Sequence, residues 1–119
     1  MGQSLYDRLG GTEGITRIAD DLVELHAKNP LIAARFENSD KAALKRTVAE
    51  FFITGSGGPE IYKGKDMVSV HKGMNINGEE FVAALDDAMA ALDKNGIGEA
   101  EKQETLAILF SMRGEVMHV

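Results

Sequence analysis

Cysteine is absent from the sequence, and that excludes disulfide scaffolds, thiolate metal sites, iron–sulfur clusters and cysteine nucleophiles at once. The absence leaves the redox compartment open. Proline occurs only twice, which speaks against a proline-rich linker or a disordered tail. Positive charge is in the minority: 13 Lys and Arg against 19 Asp and Glu give a formal charge of −6. Neither nucleic acid nor an anionic membrane is therefore an expected partner. Long apolar runs are missing too. Nothing approaches the roughly 18 consecutive apolar residues of a membrane span, and Met1 to Leu9 carries no basic leader ahead of an apolar stretch. The sequence reads as a cytoplasmic protein, complete as it stands.

What is present is 44% apolar residues in a chain of 119, the composition of one globular domain spanning residues 1–119. A chain of this size removes about two-thirds of its unfolded surface from water on folding, enough for one core and one enclosed cavity.

The apolar spacing follows the 3.6-residue period, not alternation, and predicts an all-α fold. Thr12-Glu13 can cap a long helix with Ile15, Ile18, Ala19, Leu22, Val23, Leu25 and His26 on its inner face. It should end at Asn29, because Pro30 disfavours helical geometry in the residue before it. A second helix starts at Asn38, Ser39 or Asp40, buries Leu44, Val48, Phe51 and Phe52, and stops at Gly55. Gly55-Ser56-Gly57-Gly58-Pro59 cannot continue a helix, since glycine costs about 1 kcal/mol and proline about 3 relative to alanine. Asn77 followed by Glu80 has the spacing of a capping box, and the helix it opens carries Phe81, Leu85, Met89 and Leu92 before Asn95-Gly96. A last helix should run from Glu99 to Val116, with Leu106, Leu109, Phe110 and Met117 on one face.

The three histidines are the residues with most chemical potential. His26, on the inner face of the first long helix, reads first as a partly buried, hydrogen-bonded side chain. His118 is penultimate and expected to fray. His71 follows the glycine-rich break on a short segment with little helix propensity of its own, and is either a ligand or a surface residue; spacing alone favours the surface. Metal constellations add little. A di-iron bundle needs two Glu-x-x-His pairs, and Glu115 to His118 is the only one. Zinc needs three or four nitrogen or sulfur ligands. Gly55 to Gly58 lacks the lysine and hydroxyl of a phosphate-binding loop, and Asp20-Asp21 reads as the solvated face of its helix.

Taken in order, four stretches resemble one family. They are Leu5-Tyr6-Asp7-Arg8-Leu9-Gly10-Gly11, Asn29-Pro30-Leu31-Ile32-Ala33-Ala34-Arg35-Phe36, Glu50-Phe51-Phe52 with Gly57-Gly58-Pro59-Glu60-Ile61-Tyr62-Lys63-Gly64, and Met67 to Ile76. Together they resemble the truncated, two-over-two haemoglobins, and within them the first group. The resemblance covers almost the whole chain and implies a helical sandwich around haem b, iron protoporphyrin IX. It implies that His71 is the proximal iron ligand, a role that neutral imidazole suits. Matched residue by residue, Phe36 contacts one porphyrin face, Leu44 and Val48 line the distal side, and Met67, Val70, Ile76 and Phe81 line the proximal side and rim. Tyr62, Lys45 and Lys41 are placed to meet the propionates.

The departures from the family pattern are as informative. Many members of the group carry a tyrosine in the first long helix and a glutamine in the distal helix, which hydrogen-bond bound oxygen. The matching positions here are Val23 and Val48, so the implied distal pocket of Val23, Leu44, Thr47 and Val48 is unusually apolar. Thr47 or His26 could restore a polar group.

The resemblance thus implies reversible binding of oxygen, nitric oxide or carbon monoxide, with oxygen transport among the roles that follow and a monomer or weak dimer as the state. The enzymatic alternative is nitric oxide dioxygenase or peroxidase-like turnover. That would need an external reductase, because no flavin or nicotinamide fingerprint is present. From a different class, a histidine phosphotransfer module is an acidic helical domain of similar length, and His71-Lys72-Gly73 suits it superficially. It needs an exposed histidine within a long helix, which the Gly57-Gly58-Pro59 break does not leave. A helical interaction domain without ligand is the third reading.

Overall fold

The structure, a computed structural model, describes residues 4–37, 40–62 and 76–117. Within them the chain forms α1 (Leu5–Arg8), α2 (Gly11–Lys28), a 3-10 turn (Ala33–Phe36), α3 (Lys41–Gly55), α4 (Gly78–Lys94), α5 (Glu99–Ser111) and α6 (Arg113–Val116). No strand occurs among the described residues, only an isolated parallel bridge between Ile76 and Met117.

Helix α2 begins earlier than the Thr12-Glu13 pair suggested. Gly10, at φ 99°, supplies the left-handed turn that β-carbon-bearing residues avoid. The Tyr6 hydroxyl then accepts the Thr12 N–H at 3.1 Å and bonds the Thr12 hydroxyl at 2.6 Å. A tyrosine from α1 thus satisfies a backbone donor that a helix leaves open at its start. Asp40 is the cap of α3, its Oδ1 accepting from Ala43 N–H at 3.2 Å. The capping box of α4 is complete: Asn77 Oδ1 accepts from Glu80 N–H at 2.9 Å and Glu80 Oε1 from Asn77 N–H at 3.2 Å.

The pair α2–α3 packs against the pair α4–α5, with α2 touching both α3 and α4. The core is built from Leu9, Ile15, Ile18, Leu22, Ile53, Ala88, Ala91 and Leu92. Three expected stripes need adjustment. On α3 the deep positions are Ala49 and Ile53, while Leu44, Val48, Phe51 and Phe52 are half-buried because they face a cavity. On α4, Ala83, Ala88 and Ala91 are buried between Phe81 and Leu92, while Leu85 and Met89 are only half-buried; small side chains let the helices approach. The expected last helix is two, broken at Met112, where Arg113 donates to the Phe110 carbonyl at 3.2 Å and covers its ring at 4.4 Å. Phe110 nevertheless remains exposed, and Thr105 takes the inner place on α5.

Candidate functional site

Helices α2, α3 and α4 and the 3-10 turn enclose a cavity of about 320 Å³, within the usual range for ligand pockets. Leu22, Val23 and His26 line it from α2, and Ile32, Arg35 and Phe36 from the turn. Leu44, Thr47, Val48, Phe51 and Phe52 line it from α3, and Glu80, Phe81 and Ala84 from α4. Tyr62, Ile76 and Val116 close it.

Each wall is fixed by local chemistry. Phe51 meets Phe52 and Tyr62 edge to face, at 5.7 and 5.6 Å between ring centroids. The Thr54 hydroxyl accepts the N–H groups of Ile61 and Tyr62 at 3.1 and 3.0 Å, which aims Tyr62 back at the cavity. Arg35 grips Glu80 with both Nε and Nη2, the latter at 3.0 Å. The hydrogen bonds raise the Arg35 pKa and lower that of Glu80. One residue of the capping box thereby also anchors the turn that carries Phe36.

His26 stacks on Phe36, with ring centroids 5.5 Å apart and planes at 22°. Its Nδ1 bonds Asp87 Oδ2 at 2.7 Å, and Asn29 Nδ2 donates to both Asp87 oxygens at 3.2 Å. Asp87 is buried on the α4 face that holds Phe81, Ala88 and Ala91.

The expected site residues divide into three sets. Phe36, Leu44, Val48, Tyr62, Ile76 and Phe81 come together on this one cavity, as do Val23 and Thr47. Lys45 does not line it: its Nζ lies 2.7 Å from both Asp20 and Glu24, and Lys41 reaches Glu24 at 3.5 Å. Asp20 and Asp21 are correspondingly not a merely solvated face, since Asp21 holds Lys94 at 3.3 Å and Asn95 at 2.9 Å. His71, Met67 and Val70 lie outside the described residues, as does His118. The residues flanking that stretch, Tyr62 and Ile76, both line the cavity.

Sequence reasoning missed Asp87, Thr54 and the second use of Glu80. A carboxylate on the apolar stripe of α4 was a readable sign for Asp87, because buried aspartates are nearly always paired.

A two-over-two helical sandwich around one largely apolar cavity is the fold of a truncated haemoglobin. The profile of the bacterial-like globin family matches residues 4–118, and the chain belongs to that family. It is 26% identical over 115 residues to the group 1 truncated hemoglobin of Tetrahymena pyriformis, covering 97% of this chain and 95% of that one. It is 29% identical over 109 residues to that of Synechocystis sp., covering 88% of each. The solved Fe(III) structure of the Tetrahymena pyriformis protein superposes with a TM-score of 0.95 at 26% identity, covering 98% of this chain and all of that one. The 2/2 hemoglobin of Synechococcus sp., at 20% identity and TM-score 0.89, covers 97% of this chain and 98% of that one, and shows the same fold.

Membership of the globin family implies a haem cofactor. The cavity suits that group chemically. Phe36, Val48, Phe81 and their neighbours offer apolar surface for a flat macrocycle, and Tyr62 brings to the same wall a hydroxyl, a group that can bond its carboxylates.

Proposed function

We propose that this protein reversibly binds oxygen, nitric oxide or carbon monoxide at haem b held in the cavity, with His71 as the proximal ligand. The haem supplies the metal centre at which such a gas is held. The chain supplies everything that decides how tightly. Phe36 packs against one face of the macrocycle, Leu44 and Val48 form the distal wall, and Met67, Val70, Ile76 and Phe81 form the proximal side and rim. Tyr62 meets a propionate at the solvent edge. Lys45 can do the same only by releasing Asp20 or Glu24, to which its ammonium is held.

The observation that carries the reading is the convergence on one cavity of six residues that the family pattern assigns to haem, far apart in sequence: Phe36, Leu44, Val48, Tyr62, Ile76 and Phe81. The distal wall is apolar at Val23, Leu44 and Val48. Thr47 does not change this, because its hydroxyl proton is given to the Ala43 carbonyl at 3.0 Å in its own helix. An oxygen ligand therefore finds no donor from these four side chains and is held loosely.

The test is an absorption spectrum. Haem added to the purified protein should give a Soret band that His71→Ala abolishes or shifts, with ferrous spectra responding to carbon monoxide. No Soret band after reconstitution of the unaltered protein would end the reading.

A further inference from the structure

The one histidine described at the cavity has an asymmetric set of partners. Nδ1 of His26 is taken by Asp87, itself held by Asn29 through both oxygens. One ring face is covered by Phe36. These constraints fix the ring plane and its rotation. The edge opposite Nδ1 carries Cδ2 and Nε2; neither Asp87 nor Phe36 occupies it, and His26 lines the cavity. Nε2 has no hydrogen-bond partner, and it is not sealed away, because no enclosed side-chain nitrogen or oxygen among the described residues lacks one.

The tautomer follows from the partner. A carboxylate only accepts, so the Nδ1 position must carry a proton, and neutral imidazole then has a bare lone pair at Nε2. Carboxylate and imidazole in this order are a familiar means of fixing which ring nitrogen is basic. Of the other polar side chains lining the cavity, Tyr62 belongs to the propionate edge in the reading above, and three are engaged within the protein. Arg35 and Glu80 satisfy each other, and the Thr47 proton stays in its helix.

We propose that His26 sets ligand specificity, presenting Nε2 as a hydrogen-bond acceptor so that the cavity favours small ligands carrying a proton, such as hydrogen sulfide, over aprotic anions such as azide. The proposal rests on the haem reading above. It adds that the polar contact absent at Val23 and Val48 is supplied from one turn further along α2, and with the opposite sense. A donor would stabilise anionic or partially negative ligands; an acceptor stabilises protic ones. His26 is a ligand contact in this role, and Asp87 and Asn29 position it.

Two measurements test it. Long-range proton–nitrogen correlation spectra of the haem-loaded, carbon monoxide-saturated protein should show His26 protonated at Nδ1 and bare at Nε2, with Asp87→Ala giving a tautomer mixture. A proton on Nε2 in the unaltered protein overturns the proposal. Spectral titration of the ferric haem protein at neutral pH should show His26→Phe lowering hydrogen sulfide affinity about three- to tenfold, the worth of one neutral hydrogen bond. Azide affinity should hold or rise. Asp87→Ala should move both affinities in the same directions by less. Equal losses for both ligands, or none, would mean that His26 only supports Phe36. A Soret band with unchanged ligand preference fails this proposal alone, whereas no Soret band in the unaltered protein fails the haem reading beneath it.

Discussion

The ring of Tyr6 lies so close to Gly58 that a β-carbon there would stand 2.4 Å from Tyr6 Cδ1. The same tyrosine donates its N–H to the Ser56 carbonyl at 2.9 Å and caps α2 through its hydroxyl. One residue of α1 thereby fixes both the start of α2 and the chain leaving α3, four residues before Tyr62 enters the cavity wall.

Gly58→Ala should therefore destabilise the protein by about 1–3 kcal/mol, the usual cost of forcing extra volume into a packed site. In a Tyr6→Ala background the same change should cost much less. Urea denaturation of the four proteins in a double-mutant cycle checks this. Additive costs would show that the ring does not enforce the glycine.

Glu24, Glu80 and Glu104 each have a pKa below the ordinary carboxylate value. The leading causes are hydrogen bonds from Lys45, Arg35 and Arg8 respectively. A carboxylate depressed in the folded state binds its proton less readily there than when unfolded, so it contributes stability above its unfolded value of about 4.5. That contribution disappears as pH falls through the folded value. Stability measured against pH should thus decline on acidification below about 4.5, more steeply at low salt. Glu80→Gln should flatten this acid limb, because it removes the partner of Arg35. Parallel curves for the variant and the unaltered protein would show that the pair carries none of the dependence.

Side-chain periodicity reports which way a residue faces, and local pattern reports where helices stop; the first was legible on α2, with Ile15, Ile18, Ala19, Leu22 and Val23 buried, and the second at several helix ends. Asn77 with Glu80 and the stop at Gly55 came from short-range chemistry that tertiary structure does not alter, while the start of α3 was narrowed to Asn38, Ser39 or Asp40 and the structure selects Asp40. Partners across the fold were not legible. Lys45 could equally meet a propionate or a carboxylate of α2, and only the packing of α2 on α3 decides for Asp20 and Glu24. The break at Met112, after which Arg113 lies over Phe110, falls in a stretch whose apolar spacing reads as one continuous helix. The half-burial of Leu44, Val48, Phe51 and Phe52 separates a cavity wall from a core, a distinction that an apolar stripe alone does not make.

Val23 and Val48 provide the sharpest functional test. Replacing them together by tyrosine and glutamine should place donors in the distal cavity. A hydrogen bond to a charged group contributes about 1.5–3 kcal/mol, so oxygen dissociation should slow about ten- to a hundredfold. Carbon monoxide release, which leaves little charge on the outer atom, should change far less. Flash photolysis and stopped-flow displacement measure both. Oxygen release in the unaltered protein as slow as in the double variant would mean that a donor already reaches the ligand.

Haem should also be part of what keeps the chain folded. The cavity walls carry Phe36, Leu44, Val48, Phe51 and Phe52, none of them fully buried by protein alone. A ligand that binds only the folded state adds RT ln(1 + [L]/Kd) of stability, about 2.7 kcal/mol at a hundredfold excess over Kd and about 4.1 at a thousandfold. The urea midpoint should therefore climb with each increment of haem, by an amount that grows with the logarithm of its free concentration. His71→Ala should retain only the part of this rise that macrocycle burial supplies, while Glu80→Gln, which loosens the turn bearing Phe36, should lower the midpoint with or without haem. A midpoint independent of haem concentration would show that the cavity walls are held by protein contacts alone.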